Sequence, residues 1–262
     1  MDKIQEAADF LADLRNRPRE VDEIPGAFYP SNVDQAYEVQ KALIKSLLSR
    51  LGGTRIGYKI ACTNRLAQEL LNIDTPFFGC LLSALTYAAP ARPRADTFTH
   101  RLIEAEFAFE ISADVPAPNV PYTRDSISEF VQAVMPSIEI VDWRYTDWTT
   151  VGAPSLIADN AIHGAWIHGA PCPRWRDFNL ASHPVRLLVN GKVTQEGSGG
   201  AVLGHPLNVL AWLANELPLR GLSLKKGDRV STGVTTNVYL AQAGDDIRAD
   251  FGPLGTVDLI FD

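Results

Sequence analysis

Residues 101–111 read RLIEAEFAFEI. The alternation marks a strand. Residues two apart share a face, so Leu102, Glu104, Glu106, Ala108 and Glu110 point one way and Ile103, Ala105, Phe107, Phe109 and Ile111 the other. One face is apolar and belongs in a core, while the other carries three carboxylates. Two roles fit such a face: solvated glutamates on a half-buried edge strand, or carboxylates gathered for chemistry. A second segment bears on the choice. Glu139 lies in MPSIEIVDW, residues 135–143, where Met135, Ile138, Ile140, Val141 and Trp143 predict burial. A buried carboxylate has to be paired, protonated or bound to a metal. Converging glutamates repel by about 4 kcal/mol per pair at about 4 Å and an effective dielectric near 20. A divalent cation removes that cost, and all-oxygen ligands suit Mg2+ or Mn2+ better than Zn2+.

Outward from this strand the chain changes character. The first fifty residues keep helical spacing, with Ile4, Ala7, Ala8, Leu11 and Leu14 in one stripe and Val33, Ala36, Tyr37, Gln40, Ile44, Leu47 and Leu48 in a second. The Pro- and charge-rich segment NRPREVDEIPGAFYPSN separates them. Arg55–Ala61 is strand-like, Asn64–Leu71 reads as a short helix, and Pro76, Gly79, Pro90 and Pro93 mark an irregular stretch. Beyond residue 90 strands dominate: 137–143, 161–168, a hairpin around Asn190-Gly191 in RLLVNGKVTQ, and 228–233, 238–241, 246–251 and 256–261. Two helices interrupt them. Ser126 with Glu129 has the spacing of a capping box opening 126–134, and Pro206 opens 205–217 with His205 as its cap. The pattern predicts an α+β fold, with a helical and irregular N-terminal part over 1–90 and a β-rich catalytic domain over 91–262. Strands without regular βα alternation argue against Rossmann and TIM folds.

The chain has 262 residues, 46% of them hydrophobic and 21% charged, enough for a packed core. Against 31 acidic residues stand 24 lysines and arginines, a formal charge of −7 with no basic run. Nucleic acid is therefore an unsuited partner. Cys62, Cys80 and Cys172 are odd in number and widely spaced, which signals neither a disulfide framework nor a zinc ribbon. The opening residues lack a signal peptide's apolar core and no stretch has the length of a membrane span, so a cytoplasmic enzyme is expected. GSGGAVLG lacks the third glycine of a dinucleotide fingerprint, and no G-x-S-x-G elbow is present. His163 and His168, five apart, have no zincin spacing and read as core or surface histidines.

Several segments together resemble a known family. They are IGYKIACTN at 56–64, the Glu104/Glu106 pair, PSIEIVDWR at 136–144, LIADN at 156–160, GSGGAVLGHPLNVLAWLANEL at 197–217, and LKKGDRVSTG with the closing AGDDIRADFGPLGTVDLIF. In this order they resemble the 2-oxopent-4-enoate hydratase / 4-oxalocrotonate decarboxylase group of the fumarylacetoacetate hydrolase superfamily, over roughly residues 55–262. The resemblance implies a mixed β-sheet roll of the fumarylacetoacetase C-terminal type. It also implies Mg2+ or Mn2+ held by Glu104, Glu106 and Glu139, and small 2-oxo or 2-hydroxy-dienoic acid substrates. Lys59 takes the G-Y-K position, where a nearby metal and apolar walls would lower its pKa toward general acid/base use. Asp159 falls in a family signature and is carried as a second catalytic candidate. Ser198 and Gly199 match a turn near the substrate carboxylate, and Thr63 is expected to help line the substrate's far end. A homo-oligomer is implied and, as in some members, a complex with a pathway enzyme.

A metal-held enolate serves three reactions: hydration, decarboxylation and C–C hydrolysis. The expected activity is hydration of 2-hydroxy-2,4-dienoates to 4-hydroxy-2-oxo acids in aromatic meta-cleavage catabolism. The alternatives are a 4-oxalocrotonate-type decarboxylase, a C–C hydrolase, or a non-catalytic partner subunit, for which Lys59 and three glutamates would be superfluous. Two departures bear on substrate. TPFFG puts Phe77 where hydratases of this group often carry an acid, and Cys62-Thr63-Asn64 replaces a usual Thr-Ser ending.

Overall fold

The computed structural model describes residues 2–262. It opens on two helices, α1 (Lys3–Asn16) and α2 (Val33–Leu51). Asp2 accepts from the Ile4 amide at 3.1 Å and Asn32 from the Gln35 amide at 2.9 Å, each satisfying an orphan donor of the first turn. Of the apolar stripes expected from spacing, Ala7, Ala8, Leu11 and Leu14 in α1 and Ala36, Tyr37, Gln40, Ile44 and Leu47 in α2 are buried, Ile4 and Leu48 are partly buried, and Val33 at the start of α2 is exposed. The two helices pack on each other, and α2 also packs on the short helix Gly152–Ala158.

The strands follow as β1 (Arg55–Ala61), then, after the short α3 (Arg65–Leu70), β2 (Phe77–Leu82), β3 (Thr86–Ala88) and β4 (Leu102–Ile111). Next come α4 (Arg124–Ser128), β5 (Val131–Val141), α5 (Gly152–Ala158) and β6 (His163–His168). The hairpin β7 (Pro184–Val189) and β8 (Lys192–Ser198), α6 (Pro206–Glu216), β9 (Arg229–Ser231), β10 (Tyr239–Leu240), β11 (Asp246–Asp250) and β12 (Thr256–Ile260) complete the chain. Eight strands form one sheet in the order β2-β1-β9-β4-β5-β6-β3, with β10 beside β4. It is mixed, because β1 runs parallel to β9 and β3 parallel to β6 while the other pairs are antiparallel. A smaller antiparallel sheet, β12-β11-β7-β8, joins it through the Ala91–Leu259 bridge and the packing of β12 on β5. The mixed sheet with helices agrees with the β-roll expected from the sequence. β1, β2 and β3, all before residue 90, are strands of the large sheet.

Local chemistry explains most element ends. Asn190 and Gly191 both have positive φ, 51° and 76°, the requirement of the tight turn that joins β7 to β8. His205 caps α6, its Nδ1 accepting from the Leu207 amide at 3.0 Å. The expected helix over 126–134 is different. The capping box is formed by Thr123 and Ser126, and the helix stops at Ser128 because 131–134 pair with β4 as the start of β5. A ladder with β-branched Val131 and Val134 facing a buried sheet outweighs the local cap. The stretch read as irregular around 77–88 holds β2 and β3, and every residue of β2 is buried. Gly57, at φ +152°, lets β1 lie against β9: a Cβ there would stand 1.8 Å from the Arg229 carbonyl oxygen.

A buried ionic network ties the N-terminal helix to the large sheet. Arg15 on α1 donates to Asp159 Oδ1 at 2.9 Å and to the carbonyls of Asp159 and His163, each at 2.8 Å. Arg144 donates to Asp159 Oδ2 at 2.8 Å and to Asp142 Oδ2 at 2.9 Å. Both oxygens of Asp159 are thus taken by guanidinium groups, with Asp159 and Arg144 fully buried. Replacing Asp159 by Ala leaves two buried cations short of a partner. It is expected to cost about 3–5 kcal/mol of stability, read from urea unfolding; a loss below about 1 kcal/mol would show that the network does not brace the fold.

Candidate active site

The register of β4 on β5 builds the site. Glu104 lies directly opposite Glu139, and Glu106 opposite Ser137, on the same face of the sheet. Ala108 of β4 pairs with Ser231 of β9, and Ser231 with Lys59 of β1, so that a lysine reaches the cluster from two strands away. Ligand oxygens of Glu104, Glu106 and Glu139 lie within 4.8 Å of one another.

Each inner carboxylate has one oxygen held and one left over. Glu106 Oε2 accepts from Ser231 Oγ at 2.5 Å and from the Gly233 amide at 2.9 Å, while its Oε1 is buried with no hydrogen-bond partner. Glu139 Oε1 accepts from Lys59 Nζ at 3.1 Å and His163 Nδ1 at 2.9 Å, while its Oε2 is buried and unpartnered. Buried unpaired carboxylate oxygens are costly. Two of them beside Glu104, which opens on a pocket, make an all-oxygen donor set suited to a hard divalent cation. The donors behind them fix the orientation of the oxygens that remain, as outer-shell groups do in metal sites.

The charges push in opposite directions across the cluster. Burial, and then the charge of Glu139, lift the Glu104 carboxyl to about 7. Burial, followed by the charges of Glu139 and Glu104, raises Glu106 well above the usual carboxylate range. Burial also works against ionised Glu139, but Lys59 and the hydrogen bond from His163 bring it below its ordinary value. Lys59 departs from the downward shift expected from its surroundings. Burial disfavours its charge, but Glu139, Glu104 and Glu106 outweigh burial and raise its pKa, so it stands as an ammonium. Burial lowers the pKa of His163, so the ring is neutral and donates to Glu139 through Nδ1–H.

The lysine is aimed by an unusual turn. Asn160, Ala161 and Ile162 all have positive φ, 52°, 52° and 50°, a run that non-glycine residues rarely adopt. Asn160 is locked there by paired hydrogen bonds with the backbone of Cys80, at 2.7 and 3.0 Å. The result presents the Ala161 carbonyl to Lys59 Nζ at 3.1 Å.

A small pocket of about 80 Å³ opens beside the cluster, with Lys59, Thr63, Glu104, Gly233 and Val234 among its walls. Thr63 is buried, and its Oγ1 has no partner. Gly233, at φ +93°, has to lack a side chain, since a Cβ would fall 2.0 Å from that oxygen.

Of the residues singled out in the sequence, the fold gathers Lys59, Thr63, Glu104, Glu106 and Glu139. Asp159 is elsewhere: it does not line the pocket, and its carboxylate is engaged by Arg15 and Arg144. Its backbone neighbours carry the turn that serves Lys59. Ser198 and Gly199 also lie outside the pocket wall, at the end of β8, where the Ser198 amide donates to the Thr235 carbonyl at 3.2 Å. Gly199 packs so closely that a Cβ would sit 2.1 Å from the Leu180 carbonyl oxygen. Sequence reasoning passed over Ser231, Gly233 and His163 as supports of the carboxylates. The only signals were the VSTG segment and a histidine that alternation places on a buried strand.

Comparison with known proteins bears on this architecture. The family model described as fumarylacetoacetate (FAA) hydrolase C-terminal matches residues 82–259. A 2-hydroxyhexa-2,4-dienoate hydratase of Comamonas testosteroni is 32% identical over 232 residues, 87% of this chain and 86% of that one. A 2-keto-4-pentenoate hydratase of Burkholderia vietnamiensis is 32% identical over 227 residues, 86% of this chain and 85% of its own. The solved 4-oxalocrotonate decarboxylase from Pseudomonas putida G7, complexed with magnesium and adipate, superposes with a TM-score of 0.92 at 26% identity, covering 100% of this chain and 98% of that one. Matched along its strand-rich length by the family model and nearly end to end by these relatives, the chain belongs to the fumarylacetoacetate (FAA) hydrolase C-terminal family.

Proposed function

We propose that this chain is a divalent-metal-dependent hydratase that adds water to 2-hydroxy-2,4-dienoates to give 4-hydroxy-2-oxo acids. The observation that carries the reading is the pair of buried, unpartnered oxygens on Glu106 and Glu139, in a cluster with Glu104 whose ligand oxygens lie within 4.8 Å of one another, beside a pocket lined by Glu104 and Lys59. The hydratase relatives support the reaction class. Glu104, Glu106 and Glu139 would hold Mg2+ or Mn2+. Such an ion would supply Lewis-acid polarisation of the substrate's oxygens.

The protein's own groups supply positioning and proton handling. Lys59, whose side chain helps line the pocket, spends two of its three N–H donors on Glu139 and the Ala161 carbonyl and keeps the third. Held charged against the glutamates, it can deliver a proton to substrate carbon and recover one from water. The balance of the reaction is simple: the enol O–H proton is lost as C5 gains one, giving a conjugated ketone, and water then adds its oxygen at C4 and its hydrogen at C3. The Thr63 hydroxyl, buried and without a protein partner, is available to bind substrate oxygen or the attacking water. Asp159 acts as a positioning residue, holding the 159–163 turn between two arginines so that Ala161 and His163 meet Lys59 and Glu139. Burial pushes the Cys62 thiol at the pocket wall up to about 12, which withholds the thiolate that a covalent route through it would need.

A decarboxylase reading draws on the whole-chain similarity to the 4-oxalocrotonate decarboxylase. The two separate on product. Incubation of Mg2+-loaded protein with 2-hydroxypenta-2,4-dienoate is expected to give the product of one added water, lost on complete chelation. Carbon dioxide release from 4-oxalocrotonate without any hydration would favour the decarboxylase, and activity that survives chelation would sink the metal assignment. Glu106→Gln should weaken Mg2+ binding by about 10–100-fold by calorimetry, because the uncharged amide replaces a carboxylate whose free oxygen faces the cation; unchanged affinity would remove Glu106 from the ligand set. Lys59→Met should lower kcat by about 10²–10⁴-fold while Mg2+ still binds. A variant that keeps wild-type kcat would exclude Lys59 from proton transfer.

A further inference from the structure

The pocket beside the carboxylates is walled mainly by apolar side chains. Away from Lys59, Thr63 and Glu104 its wall is formed by Leu71, Phe77, Leu102, Val141, Trp148 and Leu156, with other uncharged groups between them. Among the described residues that line it, Lys59 is the sole basic side chain, and its ammonium is already paired with Glu139 at 3.1 Å. At about 80 Å³ the pocket is well below the roughly 300–1,000 Å³ typical of sites for drug-sized ligands.

A second and wider cleft, about 610 Å³, lies close by on the surface, with Tyr37, Asn72, Asp74, Thr75 and Arg220 among its walls. Of the residues that line the two spaces, Phe77 alone is common to both. Phe77 therefore borders both spaces. Its position is firmly set: Phe77 opens β2, pairs with Ala61 of β1 and is buried in the core.

We propose that Phe77 is a specificity-determining residue, closing the tail end of the site so that it admits 2-oxo and 2-hydroxy monoacids with a short uncharged tail and rejects longer or acid-ended ones. The inference rests on the reading above, in which the carboxylate head is held at the glutamate cluster. An acid-ended tail would bring a second carboxylate among Leu71, Leu102, Val141 and Leu156, where no free cation meets it, and it would lose its water without replacement. A longer apolar tail runs into Phe77, which is buried and held in the β1–β2 ladder. Discrimination by a missing polar partner far exceeds that by a methylene, so the penalty for charge is the larger of the two.

Binding of unreactive 2-oxo acids to the Mg2+-loaded full-length protein tests this, by calorimetry, without relying on turnover. 2-Oxopentanoate should bind at least about 100-fold more tightly than 2-oxoadipate, and at least about 10-fold more tightly than 2-oxooctanoate. Phe77→Ala, which removes the ring that borders both spaces, should shift the octanoate-to-pentanoate preference by about 10-fold or more toward the longer acid. Phe77→Leu, which keeps most of the packing, should shift it in the same direction by less and carries the test if the alanine variant fails to fold. Equal affinity of the wild type for 2-oxoadipate and 2-oxopentanoate, or an unchanged length preference in a folded Phe77 variant, overturns the inference and leaves the hydratase reading standing. If no 2-oxo acid binds, the hydratase reading fails and this inference falls with it.

Discussion

The structure depends on a repulsion. The β4–β5 register places Glu104 directly across from Glu139 with Glu106 one step along, three carboxylates where sheet pairing disfavours even two like charges face to face. A one-residue slip would relieve it, but would also turn Ile103, Ala105, Phe107, Phe109 and Ile111 out of the core. All five are fully buried, and at about 1.5–3 kcal/mol for each large apolar side chain the core outweighs the repulsion. The sheet therefore holds its acids together by holding its apolar face, and the repulsion is left for Lys59 and a cation to offset.

Much of the remaining architecture serves that cluster. Ser231 and the Gly233 amide take one oxygen of Glu106, Lys59 and His163 take one of Glu139, and the opposite oxygens are left bare. His163 is in turn fixed through its carbonyl by Arg15, and Arg15 by Asp159, which also holds Arg144. The N-terminal helices thus contribute beyond their own packing: α1 carries the arginine that steadies the turn from which Lys59 and Glu139 are oriented. Three successive left-handed residues are an unfavourable backbone state, and they persist at 160–162 because Asn160 is clamped to Cys80 and Asp159 to two guanidinium groups.

The legible parts of the site were those encoded by period and by burial. Alternation in 101–111 placed Glu104 and Glu106 on one face, and the apolar flanks of Glu139 predicted its burial, 0% exposed in the structure. Resemblance singles out Lys59, but the summed charge of three glutamates, which outweighs burial and raises its pKa in their presence, follows only from their distances. A family motif places Asp159 among the catalytic candidates, whereas the fold engages its carboxylate with Arg15 and Arg144 away from the pocket wall. The capping pattern at 126–129 predicted a longer helix than the one that forms, since local signals say nothing of a strand waiting to pair.

By itself the sequence determined the strand period, the His205 helix cap, the Asn190-Gly191 turn and the residue types that favour a hard cation, because these depend on neighbours within a few positions along the chain. Tertiary structure alone decided which oxygen of Glu106 and of Glu139 is free, that His163 and Ser231 orient them, and that Phe77 borders both the pocket and the neighbouring cleft. The reason is distance along the chain. Glu106 meets Ser231 across 125 residues and Arg15 meets Asp159 across 144, and contacts between such remote positions follow from how the sheet curls and pairs.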